Sequence, residues 1–314
     1  MMRRIHVITE GAILLALFLV LMLFSLYAPF IGTVLLFVLP LPFIIFTIRH
    51  GLGVSLMMLF AGSLLSILFG SMTNILLAFM FGLSGLTMGI FYKRKQSIGA
   101  LIGGSLAYTI GLVVIYIGTI LILQIDMIKD SISLLEQSIE QSKSMYSSLN
   151  PDANVEEQFE QLKQGLDLIH ILTPTIFAAT GMMFAVISHI IAVPVLKRLK
   201  VGVAPLKPFR YLRLPQSLFW YYLIVSLLIM VNIDPDSFYY MALMNLYFIL
   251  QFFVLIQGFS FVFYYSYLKG LSKAVPIIVL TASLLIPILL YLVRILGIID
   301  LCFPLRGKIT KKVR

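Results

Sequence analysis

Apolar residues run in long blocks along this chain, and short polar gaps separate them. Nine such blocks cover residues 8–27, 31–48, 52–70, 73–92, 98–124, 171–196, 216–233, 240–268 and 275–299. Crossing the hydrocarbon of a bilayer takes about 20 apolar residues in helical form, because each residue rises about 1.5 Å and lipid offers no partner to an open backbone group. The blocks therefore predict an all-α, polytopic helical membrane protein. The ninth block contains Pro276 and Pro287, then Arg294 and Asp300. It reads either as a span or as a half-span followed by an interfacial helix, so eight or nine spans are predicted. The apolar run 13–26 behind Arg3 and Arg4 exceeds the roughly 7 to 15 residues of a signal-peptide core and lacks a small-x-small cleavage site. It is read as the first span.

Residues 126–170 break the pattern, holding nine of the 13 acidic residues alongside three lysines. Apolar positions fall at Ile128, Ile132, Leu135, Ile139, Tyr146 and Leu149, then at Val155, Phe159, Leu162, Leu166 and Ile169, with one polar slot at Ser142. That alternating spacing of three and four predicts two amphipathic helices. Asn150-Pro151-Asp152 reads as the turn between them, and Asn154 with Glu157 as a capping box for the second. The result is an extramembrane helical hairpin between spans five and six. Its stripes either zip together as a spacer or form a docking surface.

Composition sharpens this reading: 61% of the 314 residues are hydrophobic and 11% charged, with a mean hydropathy of +1.05. A net charge of +10 invites comparison with nucleic-acid binding, which needs a basic stripe on a soluble face. Here the basic residues sit in the gaps between apolar blocks, so nucleic acid is not expected as a partner. If Arg3 and Arg4 stay in the cytoplasm, alternating loops place fourteen Lys and Arg inside and only Lys129, Lys143 and Lys163 outside. That split follows the positive-inside rule and predicts a cytoplasmic N-terminus in a bacterial cell membrane. Nine spans would leave the basic tail of Arg306, Lys308, Lys311, Lys312 and Arg314 on the wrong side. The expected organisation is a six-span unit at 1–196 including the 126–170 hairpin, a basic cytoplasmic loop at 197–215, and a C-terminal unit at 216–314 with two or three spans.

Searching for chemistry returns little. His-Glu-x-x-His, Gly-x-Ser-x-Gly and phosphate-loop patterns are missing from the sequence, and the single Cys302 rules out an intramolecular disulfide. No catalytic residue, metal or cofactor is expected. Ser188 beside His189 is not a dyad, because adjacent helical residues point about 100° apart; His189 reads as a packed residue. Glu10 and Arg294 are the charges nearest the apolar blocks, and snorkelling, or a pair between Arg294 and Asp300, accounts for them. Tyr27, Thr73, Asn74, Gln124 and Thr173, with Ser71 and Thr175, cluster near the outer ends of the first six spans. They form a candidate outward pocket for a small solute, set against routine helix-end capping. Small residues four apart occur at Ala12 and Ala16, Gly85 and Gly89, and Gly99 and Gly103, where a second helix can approach closely.

With its basic ending after Arg294-Ile-Leu-Gly-Ile-Ile-Asp300, the whole chain resembles the YybS-type family of bacterial multipass membrane proteins, a family without an established activity. Residues 1–196 also resemble the substrate-binding S component of energy-coupling-factor vitamin transporters. That resemblance rests on six spans, the Ala12 and Ala16 spacing, the Gly51-Leu52-Gly53 turn, and Gly85 and Gly89 before Lys93-Arg94-Lys95. It implies vitamin-like solute binding or uptake, with Ala12 and Ala16 contacting a membrane coupling subunit. The hairpin and the extra C-terminal spans depart from the usual S component. The rod-shape protein MreD is a related comparison, and it points to the alternative: a non-enzymatic scaffold in the lipid bilayer that recruits cell-envelope proteins through the hairpin. An intramembrane enzyme ranks third.

Overall fold

Proline and glycine decide where the apolar blocks bend and how closely they approach one another. The computed structural model describes residues 2–28, 30–149, 156–231, 233–235, 237–303 and 306, and they fall into two compact units, Met1–Leu206 and Lys207–Arg314. The division falls inside the basic loop 197–215.

The first unit begins with α1 (Met2–Tyr27), α2 (Ile31–Leu36) and α3 (Pro40–His50). The second block is thus two helices, and Pro40 opens α3 because its missing N–H is harmless in a first turn. Next come α4 (Leu52–Leu65) with a 3-10 turn at Ser66–Phe69, α5 (Thr73–Lys93), and α6 (Ser97–Gly118) with a π turn at Thr119–Leu123. The acidic insert forms α7 (Met127–Leu149) and α8 (Glu156–Ile171), and α9 (Thr173–Arg198) returns to the apolar blocks. The turn and capping box expected at 150–154 lie outside the described residues.

Helix α5 is central, touching α3, α4 and α6, while α6 also lies along α9. Glycine permits this closeness. A Cβ at Gly85 would meet the Pro40 carbonyl oxygen at 2.5 Å, and one at Gly89 would meet the Thr47 side chain at 2.7 Å. Gly99 and Gly103 accommodate the Phe91 ring, and Gly181 of α9 lies against the Ser105 carbonyl and the backbone at Thr109. Both glycine pairs are therefore internal packing surfaces. Ala12 and Ala16 differ: they lie exposed on the outer side of α1, beside the exposed Ile13 and Leu17. Phe18, Phe43, Phe81, Met80 and Tyr108 fill the core between these helices, and a second cluster joins Ile44, Met88, Tyr92, Ala192 and Leu196.

The second unit holds α10 (Ser217–Ile229), α11 (Phe238–Leu268), α12 (Ala274–Leu285) and α13 (Pro287–Cys302). The ninth block is not continuous. Ile286 takes an extended conformation (φ −116°, ψ 103°), as a residue preceding proline does when Pro Cδ crowds its backbone, and Pro287 starts α13. Among the described residues seven helical stretches are long and apolar enough to cross a membrane: Ile5–Tyr27, Ile31–His50, Leu52–Phe69, Thr73–Lys93, Ser97–Leu123, Thr173–Arg198 and Phe238–Leu268. Ser217–Ile229 and Ala274–Leu285 are apolar but shorter. The difference from eight or nine predicted spans arises because hydropathy does not register where a helix stops. Helices α11 and α13 meet backbone to backbone, since a Cβ at Gly258 would overlap the Val293 carbonyl oxygen and one at Gly297 the Val254 carbonyl oxygen.

Candidate functional site

Helix ends leave carbonyl groups without intrahelical partners, and two of the predicted pocket residues serve one such group. The turn Ser66–Phe69 ends at Gly70, which is left-handed at φ 91°. The Phe69 carbonyl accepts from the Tyr27 hydroxyl at 3.3 Å and from Asn74 Nδ2 at 3.4 Å. Beside it, the Thr73 amide donates to Ser71 Oγ at 3.2 Å, and the Thr73 and Ser71 hydroxyls are 2.9 Å apart. Tyr27, Thr73 and Asn74 thus gather at one turn. Gln124 instead ends the π turn of α6 in a left-handed conformation, and Thr173, at the start of α9, donates to the Ile169 carbonyl at 3.1 Å.

Gln124 and Thr173 flank in sequence a different feature, a cavity of about 370 Å³ at the foot of the hairpin. Asp126, Lys129, Ile132, Leu166 and His170 line it. Asp126 caps α7: its Oδ1 accepts from the Lys129 amide at 3.1 Å and from the Tyr116 hydroxyl at 3.4 Å. A carboxylate, an ammonium and an imidazole thereby meet two aliphatic side chains, one of them the buried Leu166. This mixture suits a small molecule with an apolar body and charged or polar substituents. The sequence signal was present but divided: Asp126 and Lys129 open one amphipathic helix and His170 closes the other.

Further up the first unit, α5, α6 and α9 share two buried polar pairs. Tyr92 Oη lies 2.6 Å from His189 Nδ1, and Tyr108 Oη lies 2.8 Å from Ser188 Oγ. Ser188 and His189 serve different partners, as their helical spacing requires. Glu10 pairs with Arg49 and reaches His50 Nε2 at 2.8 Å, tying α1 to α3. Among the described residues no three His, Cys, Asp or Glu side chains gather to hold a metal ion.

The second unit contains a buried ionic network that sequence reasoning missed. Asp300 binds Arg306 at 2.6 Å, with side chains 2% and 3% exposed. Gln257 Nε2 donates to Asp300 at 2.5 Å, while its Oε1 accepts from the Leu214 amide at 3.0 Å. Arg306 also donates to the Arg210 carbonyl at 2.8 Å and to Ser260 Oγ at 3.3 Å. Ser260 in turn lies 2.9 Å from the carbonyls of Phe209 and Leu212. The pair between Arg294 and Asp300 that the sequence suggested is not formed. Residues six apart on a helix point roughly 120° away from each other, and Arg306 occupies the carboxylate. The available signal was Gln257 and Ser260, two polar residues sharing one face of an apolar helix.

Residues 16–301 match the family described as "Predicted membrane protein (DUF2232)". The chain belongs to that family. This DUF2232 protein is similar to "Uncharacterized protein YybS" of Bacillus subtilis (strain 168), with 34% identity over 308 residues, covering 98% of this chain and 100% of the relative. No solved structure matches it. The family description and the apolar helices agree that this DUF2232 chain is an integral membrane protein.

Proposed function

We propose that the first unit binds a small, vitamin-like solute, as the S-component resemblance implies, but at the foot of the hairpin that the usual S component lacks. The observation that carries this reading is the 370 Å³ cavity lined by Asp126, Lys129, Ile132, Leu166 and His170. Its size falls within the roughly 300 to 1,000 Å³ of small-molecule sites, and its few polar groups would fix orientation while Ile132 and Leu166 hold an apolar body. The charge pattern supports a cytoplasmic N-terminus in a bacterial cell membrane, which puts the cavity outside. The exposed face of α1 at Ala12 and Ala16 is then the contact for a membrane coupling subunit.

Purified protein is expected to gain thermal stability with at least one vitamin-sized solute. Lys129→Ala should remove that gain with the ligand-free melting temperature unchanged, because Lys129 donates its cap bond through the backbone. A gain lost in Asn74→Leu but kept in Lys129→Ala would move the site to the Phe69 turn. Silence across a broad panel of solutes would end the reading.

A second reading has its own observation. Leu135, Tyr146, Leu162 and Ile169 remain 37% to 53% exposed, so the two helices cover only part of one another's apolar stripes. An envelope protein docking there would make the chain a scaffold. Deletion of residues 130–165 should leave membrane insertion intact and remove co-purifying partners; an unchanged partner set sinks this version.

A further inference from the structure

Residues 207–214 are held against α11 by their main chain. The carbonyls of Phe209, Arg210 and Leu212 accept from Ser260 and Arg306, and the Leu214 amide donates to Gln257. These bonds fix the 3-10 turn Phe209–Tyr211 and leave the Arg210 side chain uncommitted. Its guanidinium carbon stands 3.7 Å from the centroid of the Tyr267 ring and 5.1 Å from that of Tyr211. The two rings are 6.5 Å apart and inclined at 74°, so the cation occupies the angle between them.

Stacking of this kind holds a guanidinium in place without using its N–H donors. Among the described residues those donors find no protein acceptor. Arg210 Nε is sealed from the surroundings without a hydrogen-bond partner, while the two Nη atoms are neither sealed nor bonded. No carboxylate neutralises the charge either. Of the described acids in this unit, Asp300 is engaged by Arg306 and Gln257, and Asp234 precedes the opposite end of α11. Lys207 and Arg213 add positive charge to the same short segment, and no acid occurs between residues 201 and 233. A fixed cation therefore presents the edge formed by its two Nη groups with nothing from the protein to receive it.

The place of this edge names its ligand. Tyr267 lies in the last turn of α11, a helix long and apolar enough to cross the membrane, and Phe209, Tyr211 and Tyr267 are exposed. Aromatic rings at the end of a span sit at the level of the lipid headgroups. Phosphate is the acceptor there whose oxygens match paired N–H donors. We propose that Arg210, clamped between Tyr211 and Tyr267, binds the phosphate of an anionic phospholipid headgroup. The rings keep the Nη edge aimed, and the charges of Lys207 and Arg213 favour a headgroup of net negative charge over a zwitterionic one. The site belongs to the second unit and stands or falls separately from the solute cavity.

The test uses full-length, delipidated protein in neutral detergent, with native mass spectrometry as the readout of bound species. Phosphatidylglycerol should be retained in preference to phosphatidylcholine and to diacylglycerol with the same acyl chains. Arg210→Gln should weaken phosphatidylglycerol binding by about tenfold or more, as loss of a bidentate charge-assisted contact does. Arg210→Lys should be intermediate, because an ammonium keeps the charge without the fork. Tyr267→Leu keeps the charge but releases the guanidinium, and it should also weaken binding. Lys273→Gln removes an equal charge outside the clamp and should bind as the parent does. Lipid-free Arg210→Gln should melt with the parent, since the bond to Arg306 uses the main-chain carbonyl; should it melt early, Arg210→Lys and Tyr267→Leu carry the comparison. Equal losses in Arg210→Gln and Lys273→Gln would reduce the clamp to diffuse surface charge and overturn the proposal. Unchanged binding by Arg210→Gln, equal retention of diacylglycerol, or retention of inorganic phosphate without any lipid preference would overturn it as well.

Discussion

Asp300→Ala lowers the stability of the C-terminal unit by about 3 to 5 kcal/mol, the usual cost of stranding one member of a buried ion pair. The magnitude follows from what the carboxylate holds. It neutralises Arg306, and it orients Gln257, which in turn satisfies the Leu214 amide. Without it, the guanidinium stays buried at 3% exposure, still bonded to the Arg210 carbonyl and Ser260 but with no counter-charge. Unfolding in mixed micelles titrated with dodecyl sulfate measures the loss. The double substitution Asp300→Leu with Arg306→Leu should recover most of it, since replacing a buried pair by apolar side chains is often neutral. A single-substitution cost below about 1 kcal/mol would show that the network does not anchor residues 207–214 to α11 and α13.

Gly297→Leu is expected to be comparably damaging for a different reason. The contact between α11 and α13 is backbone against backbone: any Cβ at Gly297 overlaps the Val254 carbonyl oxygen, and Gly258 answers with the Val293 carbonyl. Flexible side chains cannot make room there. Separating the helices forfeits packing on both, and overpacking of this kind costs about 1 to 3 kcal/mol or more. Gly53→Ala is the control, because its Cβ would meet nothing within 4 Å; it should be neutral or add up to about 1 kcal/mol through helix propensity. Equal melting temperatures for Gly297→Leu and the parent would refute the close crossing.

Membrane residence and the hairpin were legible in the sequence because each depends on a one-dimensional pattern. Block length marks a helix in lipid, and alternation of three and four marks an amphipathic one outside it. Helix ends were less legible. The break at Ile286 was foreshadowed by Pro287, yet hydropathy runs unbroken across it, and the turn between α2 and α3 hides inside a single apolar block. Tyr27 and Asn74 were placed at the same end of the unit from topology alone; that both would donate to the Phe69 carbonyl depends on how α1 approaches the 3-10 turn. The partnership of Asp300 with Arg306 was the least legible feature, because the charge count had assigned Arg306 to a basic tail rather than to a buried pair.

The break at Ile286 also bears on the lipid itself. Helices α10 and α12 have 13 and 12 residues, which gives lengths of only about 18 to 20 Å against a hydrocarbon core of about 30 Å. Neither crosses an undisturbed bilayer, whereas α11, with 31 residues, is longer than the core and crosses with tilt. Short and long helices side by side in one unit impose opposite demands on the same lipid. Short helices meet such a mismatch by local thinning of the bilayer, by snorkelling of flanking residues or by association with other helices, so the C-terminal unit is expected to respond more strongly to bilayer thickness than the first.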